Sequence, residues 1–274
     1  MNWITIETET TENLINKLTA YDSGWLFRGQ ASADWDLQPT LERILSPIGW
    51  DPEMAQKCEE YSLHLFSSKA HHYIAWDKLP TTKLGWLSLM QHHGVPTRLL
   101  DFTESPFIAL FFSFNETSIS EMQPSAVWAL NYRNITKSSI EYLKDRDNHF
   151  EYDYSSAQMQ PDEFFDKYLD SGSNDILWAA EPRISNIRME RQKGTFLMSG
   201  NIHKRIIDLI PSVLPAQEVH KILIQPSMVN EIFKILKSMG IDNSRLFSNL
   251  DGLSKDLKTE MKYQVTSRLL PSKI

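Results

Sequence analysis

Three polar segments of the 274-residue chain hold residue types that grip or transform ligands. The first is Phe27-Arg28-Gly29-Gln30, closing the apolar run Trp25-Leu26-Phe27. An arginine there presents a rigid five-donor fork, and the glycine after it leaves backbone that a ligand can approach closely. That arrangement suits a diphosphate or a carboxylate. It equally suits an arginine that locks a strand end to a buried aspartate. The second segment runs from Gln91 to Pro106 and places His92, His93, Thr97, Arg98, Asp101, Thr103 and Ser105 between two apolar stretches. Buried polar groups must bond one another or a ligand. One reading is a capping network in which Asp101 holds backbone amides and Arg98. The other is a cleft floor, with Thr103 and Ser105 at a helix N-terminus able to receive phosphate. The third segment, Asn186 to Phe196, spaces Arg188, Glu190 and Gln192 two apart, on one face of an expected strand. A surface ladder of charges explains this spacing as well.

Other chemistries have little support. The chain carries no P-loop, no GxGxxG, no HExxH and no GxSxG. His71-His72 and His92-His93 are adjacent pairs whose members point to different sides of a helix, so no metal site is expected from them. Cys58 sits between Lys57 and Glu59 in a helical stretch and reads as structural.

The elements that must position these segments follow from pattern. Strands are expected at Trp25–Gly29, Thr97–Leu100, Ala126–Leu130, Thr195–Met198 and Lys221–Ile224, with a weak alternation over Ile4–Thr8. Helices are expected over 11–18 and Pro39–Ile44. A longer one should start at Asp51-Pro52, with Asp as cap, proline in the first turn and an apolar stripe of Met54, Tyr61, Leu65 and Tyr73. Leu84–His92 should be a helix stopped by Gly94 and Pro96. Pro106–Phe112 should be a buried helix capped by Thr103 or Ser105, and Glu231–Met239 an amphipathic one closed by Gly240. Residues 141–182, acidic and aromatic, read as a variable insertion or lid. Helices and strands that do not alternate strictly predict an α+β fold, a central mixed or antiparallel sheet with flanking helices in a single domain spanning 1–274.

Composition narrows the class. The net charge of −7 argues against broad adhesion to DNA or anionic membrane, while leaving room for a local basic cleft. One cysteine excludes an intrachain disulfide and suits a reducing, cytoplasmic setting. The longest apolar run, Pro106–Phe114, falls short of the roughly 20 residues that span a bilayer.

The segments together resemble the FRG domain family, named for its (F/Y)RG motif. Phe27-Arg28-Gly29-Gln30 is similar to that motif, with the family's tryptophan, leucine and proline at Trp35, Leu37 and Pro39. Gln91 through Thr103 resembles its central block, Arg191-Gln192-Lys193-Gly194-Thr195-Phe196 its third motif, and Ile241 through Leu253 its C-terminal block, with Ser248 where proline is usual. A more distant resemblance is to arginine-type mono-ADP-ribosyltransferases. It implies a transferase-like fold and NAD as cofactor, without a metal. Arg28, Gly29 and Gln30 would hold the diphosphate. Asp101, Thr103 and Ser105 would shape the ribose pocket, His93 would line it, and Thr97 and Arg98 would belong to the same nucleotide-binding block. Glu190 or Gln192 would stand at the catalytic position, although glutamine cannot supply the carboxylate charge. The implied activity is ADP-ribose transfer to a protein or nucleic-acid acceptor by a toxin or phage-defence effector, with an antitoxin or sensor as partner. A nucleotide- or nucleic-acid-sensing module without catalysis, and a hydrolase using His92 or His93 as base, are the alternatives.

Overall fold

Strands form where apolar residues alternate or run together, and among the described residues seven of them build one open mixed sheet. The computed structural model describes residues 2–114, 123–170, 172–183, 187–247 and 250–269. The strands are β1 (Ile4–Glu7), β2 (Trp25–Gln30), β3 (Leu100–Thr103), β4 (Ser125–Asn131), β5 (Leu177–Ala180), β6 (Gly194–Ser199) and β7 (Val219–Ile224), in the order β1-β7-β4-β2-β3-β6-β5. β1 and β7 pair parallel; β2–β3, β2–β4, β3–β6, β4–β7 and β5–β6 pair antiparallel. The helices are α1 (Thr11–Thr19), α2 (Thr40–Leu45), α3 (Pro52–Ala70), α4 (Lys83–His92), α5 (Pro106–Phe112), α6 (Tyr132–Arg146), α7 (Tyr154–Met159), α8 (Pro161–Phe164), α9 (Ile187–Arg191), α10 (Ile206–Val213), α11 (Val229–Ser238), α12 (Asn243–Phe247) and α13 (Leu250–Leu269). The fold is α+β, as expected. No helix among the described residues is long and apolar enough to cross a membrane.

Alternation sorts the strand residues onto two faces. On one face, Phe27, Val127, Ala129 and Ile222 meet α1, α5 and α11, while Trp178, Phe196 and Met198 meet α4 and α8. On the other, Leu26, Trp128, Leu130, Leu177 and Leu197 meet α6 and α10. The sheet is weakest at its centre. β2 and β3 pair only at Phe27↔Thr103, whereas β2 pairs with β4 along all six of its residues. Beyond Phe27 the two strands part.

Three expectations need correcting. The strand read at Thr97–Leu100 begins three residues later, because Arg98 is buried in an ion pair with Glu59 of α3. Arg188 and Glu190 lie on α9 rather than on a strand, and β6 starts only at Gly194, after Lys193 turns the chain at φ 44°. The stripe Met54, Tyr61, Leu65 and Tyr73 faces solvent, and α3 instead buries Ala55, Glu59 and Ala70. The segment 141–182 supplies the edge strand β5 and buries Leu143, Phe164, Phe165, Tyr168 and Trp178 in the core. Its described residues do not line the cleft below. The caps behave as read: Asp51 accepts from Met54 N at 3.0 Å, and Ser105 rather than Thr103 caps α5, accepting from Ile108 N at 3.4 Å.

Candidate functional site

A cleft of about 270 Å³ opens where β2 and β3 separate. β2 contributes Phe27, Arg28, Gly29 and Gln30, and β3 contributes Asp101, Phe102 and Thr103. Arg43 of α2, Arg188 of α9 and Lys255 of α13 add three more cations, and Trp35, Phe112 and Phe247 add aromatic surface. Among the described residues four cations thus face one carboxylate, in a chain whose net charge is −7. None of the four makes an ion pair among the described residues.

Arg28 spans the gap between the strands. Its Nη1 donates to the backbone carbonyl of Asp101 at 2.7 Å, and its buried Nε makes no hydrogen bond among the described residues. Burial lowers the pKa of its guanidinium below the usual arginine value; Asp101 opposes this shift and Arg43 reinforces it. Such a group gains from an anion that fits between it and its neighbours. The expected alternative, an arginine locked to a buried aspartate, does not hold for Arg28. The Asp101 carboxylate is exposed and accepts instead from Gln91 Nε2 at 2.9 Å. It does not bind Arg98 either.

The second wall is built around one ring. Phe247 lies with Arg188 Cζ 4.8 Å and Lys255 Nζ 4.7 Å from its centroid, and Phe112 packs edge-on at 6.2 Å. Cations held over an aromatic face are attracted by the ring without needing a carboxylate partner. Gln192 completes the wall, its Nε2 donating to the carbonyl of Leu246 at 3.4 Å. Trp35, 51% exposed, stands at the mouth.

The expected site residues separate into three groups. Arg28, Gly29, Gln30, Asp101, Thr103 and Gln192 line the cleft. Among these, three have structural duties. Gly29 packs against α5, since a Cβ there would sit 1.9 Å from the carbonyl oxygen of Ala109, so helix packing requires the glycine. Gln30 is buried between Trp128 Nε1, which donates to it at 2.7 Å, and the Asp36 carbonyl, to which it donates at 2.9 Å. Thr103 donates to the Gln192 carbonyl at 2.7 Å and accepts from Ser105 N at 3.1 Å, tying β3 to the start of β6.

A second group lies outside the cleft. Thr97 is fully buried and donates to Gln91 Oε1 at 2.8 Å. The guanidinium of Arg98 meets both carboxylate oxygens of Glu59, at 2.9 and 2.8 Å from Nε. Ser105 caps α5. His93 lines an apolar groove with Tyr61, Leu65, Phe66 and Tyr73. Glu190 is exposed on α9 and lines neither the cleft nor the recess beside it. On a helix, residues 188 and 192 share a face that 190 leaves, which is why Arg188 and Gln192 reach the cleft and Glu190 does not.

His92 enters from the side. It lines a small recess with Gln91, Asp101, Arg188 and Gln192, the last three shared with or adjoining the cleft. Partial burial, then Arg188 and His93, hold its imidazole below the ordinary histidine range. Asn186, Ser248 and Asn249 of the expected blocks lie outside the described residues. Among the described residues no cluster of three His, Cys, Asp or Glu side chains is placed to hold a metal.

Arg43 and Lys255 were not legible as site residues. Arg43 carries a faint signal, following the strand-Arg-Gly-Gln segment on the first helix after it. Lys255 carries none, standing on a charged helix far along the chain.

The fold and cleft define an α+β protein with an arginine-lined split in its central sheet. Residues 23–121 match the family model of the FRG domain. That match includes Arg28, Trp35, Arg43, Asp101 and Thr103; Arg188, Gln192, Phe247 and Lys255 come from beyond it. No curated protein and no solved structure matches the chain significantly.

Proposed function

We propose that the split-sheet cleft binds a nucleotide bearing a diphosphate, with NAD as the first ligand to test. The carrying observation is a set of four cations without carboxylate partners among the described residues, one of them the partly buried Arg28 with its unpaired Nε. Arg28 and Arg43 would take the phosphates from the FRG side, and Arg188 and Lys255 from the Phe247 side. Trp35 at the mouth offers a face on which a base can stack.

The arrangement supports binding better than ADP-ribose transfer. Transfer through an oxocarbenium-like sugar needs a carboxylate at the anomeric carbon. Glu190 does not line the cleft and Gln192 carries no charge, so among the described residues Asp101 is the acid in the cleft able to serve. A nucleotide-sensing module is therefore the reading we favour, and a transferase using Asp101 is the second. A toxin or phage-defence role, with a macromolecular acceptor and a sensor or antitoxin partner, goes with the second reading.

Titration calorimetry with NAD tests the binding. Arg28→Ala is expected to weaken it by at least tenfold, since a charge-assisted contact contributes about 1.5–3 kcal/mol. The melting temperature should stay nearly unchanged, because Arg28 holds no buried carboxylate. Incubation with adenine-labelled NAD and lysate then separates the two readings. Label transferred by the wild type and lost in Asp101→Asn supports the transferase; binding without transfer supports the sensor. No Arg28-dependent binding of NAD or of ADP-ribose overturns the proposal.

A further inference from the structure

The last helix carries a second feature that the cleft does not use. Along α13, Leu250, Leu253, Leu257, Met261 and Val265 are 48–82% exposed, at spacings that keep them on one side for about four turns. The opposite side is seated on the body of the molecule. Gly252, Thr259 and Tyr263 are buried there, and Tyr263 stacks on Phe233 of α11 with centroids 3.9 Å apart. Lys255 also lies on that inner side, over Phe247. The apolar stripe is thus neither core nor cleft wall.

The edges of the stripe differ in charge. At about 100° per residue, Asp256 and Glu260 border it on one side and the exposed Lys258 on the other. Glu260 pairs with Lys237 of α11 at 2.7 Å and Asp256 accepts from Ser244 Oγ at 3.2 Å, so the acidic edge keeps a net charge near −1 after Lys237 is counted. A two-fold axis parallel to the helix sets each acidic edge against the partner's basic edge. A two-fold axis perpendicular to it sets acid on acid and base on base.

We propose that α13 is a self-association surface, on which two copies of this chain pair their last helices in parallel. Leu253 and Leu257 meet their counterparts across the axis, and Lys258 faces Asp256 and Glu260 of the second copy. The stripe runs for roughly 22 Å. At a helix width of about 10 Å that is on the order of 220 Å², well short of the about 800 Å² per partner of a standard stable interface, so the pairing is weak and concentration-dependent. It leaves the cleft open, because Lys255 faces away from it.

Sedimentation of the full chain from low to high micromolar concentration tests this. A reversible monomer–dimer equilibrium is expected. Leu257→Lys should weaken it at least tenfold while leaving the melting temperature and nucleotide binding unchanged, since Leu257 is exposed. Lys258→Glu should weaken it as well, most at low salt. Orientation is read by disulfide formation in a Cys58→Ser background. Leu253→Cys cross-links with itself in a parallel pair, whereas an antiparallel pair cross-links only a mixture of Leu253→Cys with Met261→Cys. A monomer at every concentration, a dimer indifferent to Leu257→Lys, or cross-linking in the mixture alone overturns the proposal. Failure here leaves the nucleotide reading untouched, as that rests on the opposite side of the helix.

Discussion

Arg98 meets both oxygens of Glu59 within a buried pocket, while Arg28 meets only a backbone carbonyl at the edge of an opening. The first arrangement satisfies the guanidinium and is the state in which buried arginines persist; removing one partner of such a pair costs about 3–5 kcal/mol. The second leaves donors to spare. The neighbouring Gly29 shows how position alone divides duties, because on a strand residue 29 points away from residue 28, and here it points into α5. A Cβ at Gly29 would meet Ala109 O at 1.9 Å and Ser113 N at 2.6 Å, both backbone atoms of or beside a packed helix. Neither can yield without moving α5. Gly29→Ala should therefore destabilise the protein by on the order of 3 kcal/mol, a fall of about 6–12 °C in melting temperature. Calorimetry decides this: a variant that melts with the wild type would mean that α5 shifts freely and that the glycine serves the ligand after all.

Helix α2 shows the same division at the scale of an element, turning Arg43 to the cleft and burying Glu42 beneath α10. The Glu42 carboxylate accepts from Ile206 N at 3.2 Å, and its second oxygen is buried without a partner. Burial raises its pKa from 4.5 to about 7, opposed by the Ile206 bond and by Arg205, with Asp208 adding to the rise. The folded chain thus holds this proton more tightly than the unfolded one. The stability this confers is complete below about pH 4.5 and fades as pH rises towards 7, by on the order of 3 kcal/mol over that window. Glu42→Gln keeps an acceptor for Ile206 and removes the titration. Its melting temperature should change less between pH 5 and pH 8 than that of the wild type; equal pH dependence in both would show that Glu42 is hydrated. Elements of this kind were legible where local chemistry decides them: Asp51 as cap, Pro106 in a first turn, the apolar runs of β4 and β7. They were illegible where a distant partner decides. The strand read at Thr97 begins only at Leu100, since Glu59 claims Arg98. The stripe read as the inner face of α3 turned outward, since the buried salt bridge and two small alanines occupy the inner face. For the cleft, Arg28 and Asp101 could be found from their segments. Lys255 could not, because only the tertiary fold carries it to Phe247.

At the scale of the whole molecule, the cleft exists because a sheet order brings distant segments together. β2 and β3, the two strands that part to open it, pair with each other at a single residue pair and take their main support from β4 on one side and β6 on the other. Both supporting strands lie beyond residue 121, where the FRG match ends, as do two of the four cations. A fragment of residues 23–121 would therefore keep Arg28 and Arg43 but lose the ladders that hold β2 and β3 in place. The helices α4 and α5 would likewise lose their core partners among Val127, Ile222, Trp178 and Met198. Burying too little apolar surface to offset the ordering of its chain, the fragment should show no cooperative thermal transition and no nucleotide binding. The full chain should show both, with binding that weakens as salt is raised because it rests on cations near the surface. The check is a thermal melt of the two proteins side by side, followed by titration with NAD at low and high ionic strength. A fragment that melts cooperatively and binds as the full chain does would place the whole site within residues 23–121, and Arg188, Phe247 and Lys255 would become bystanders.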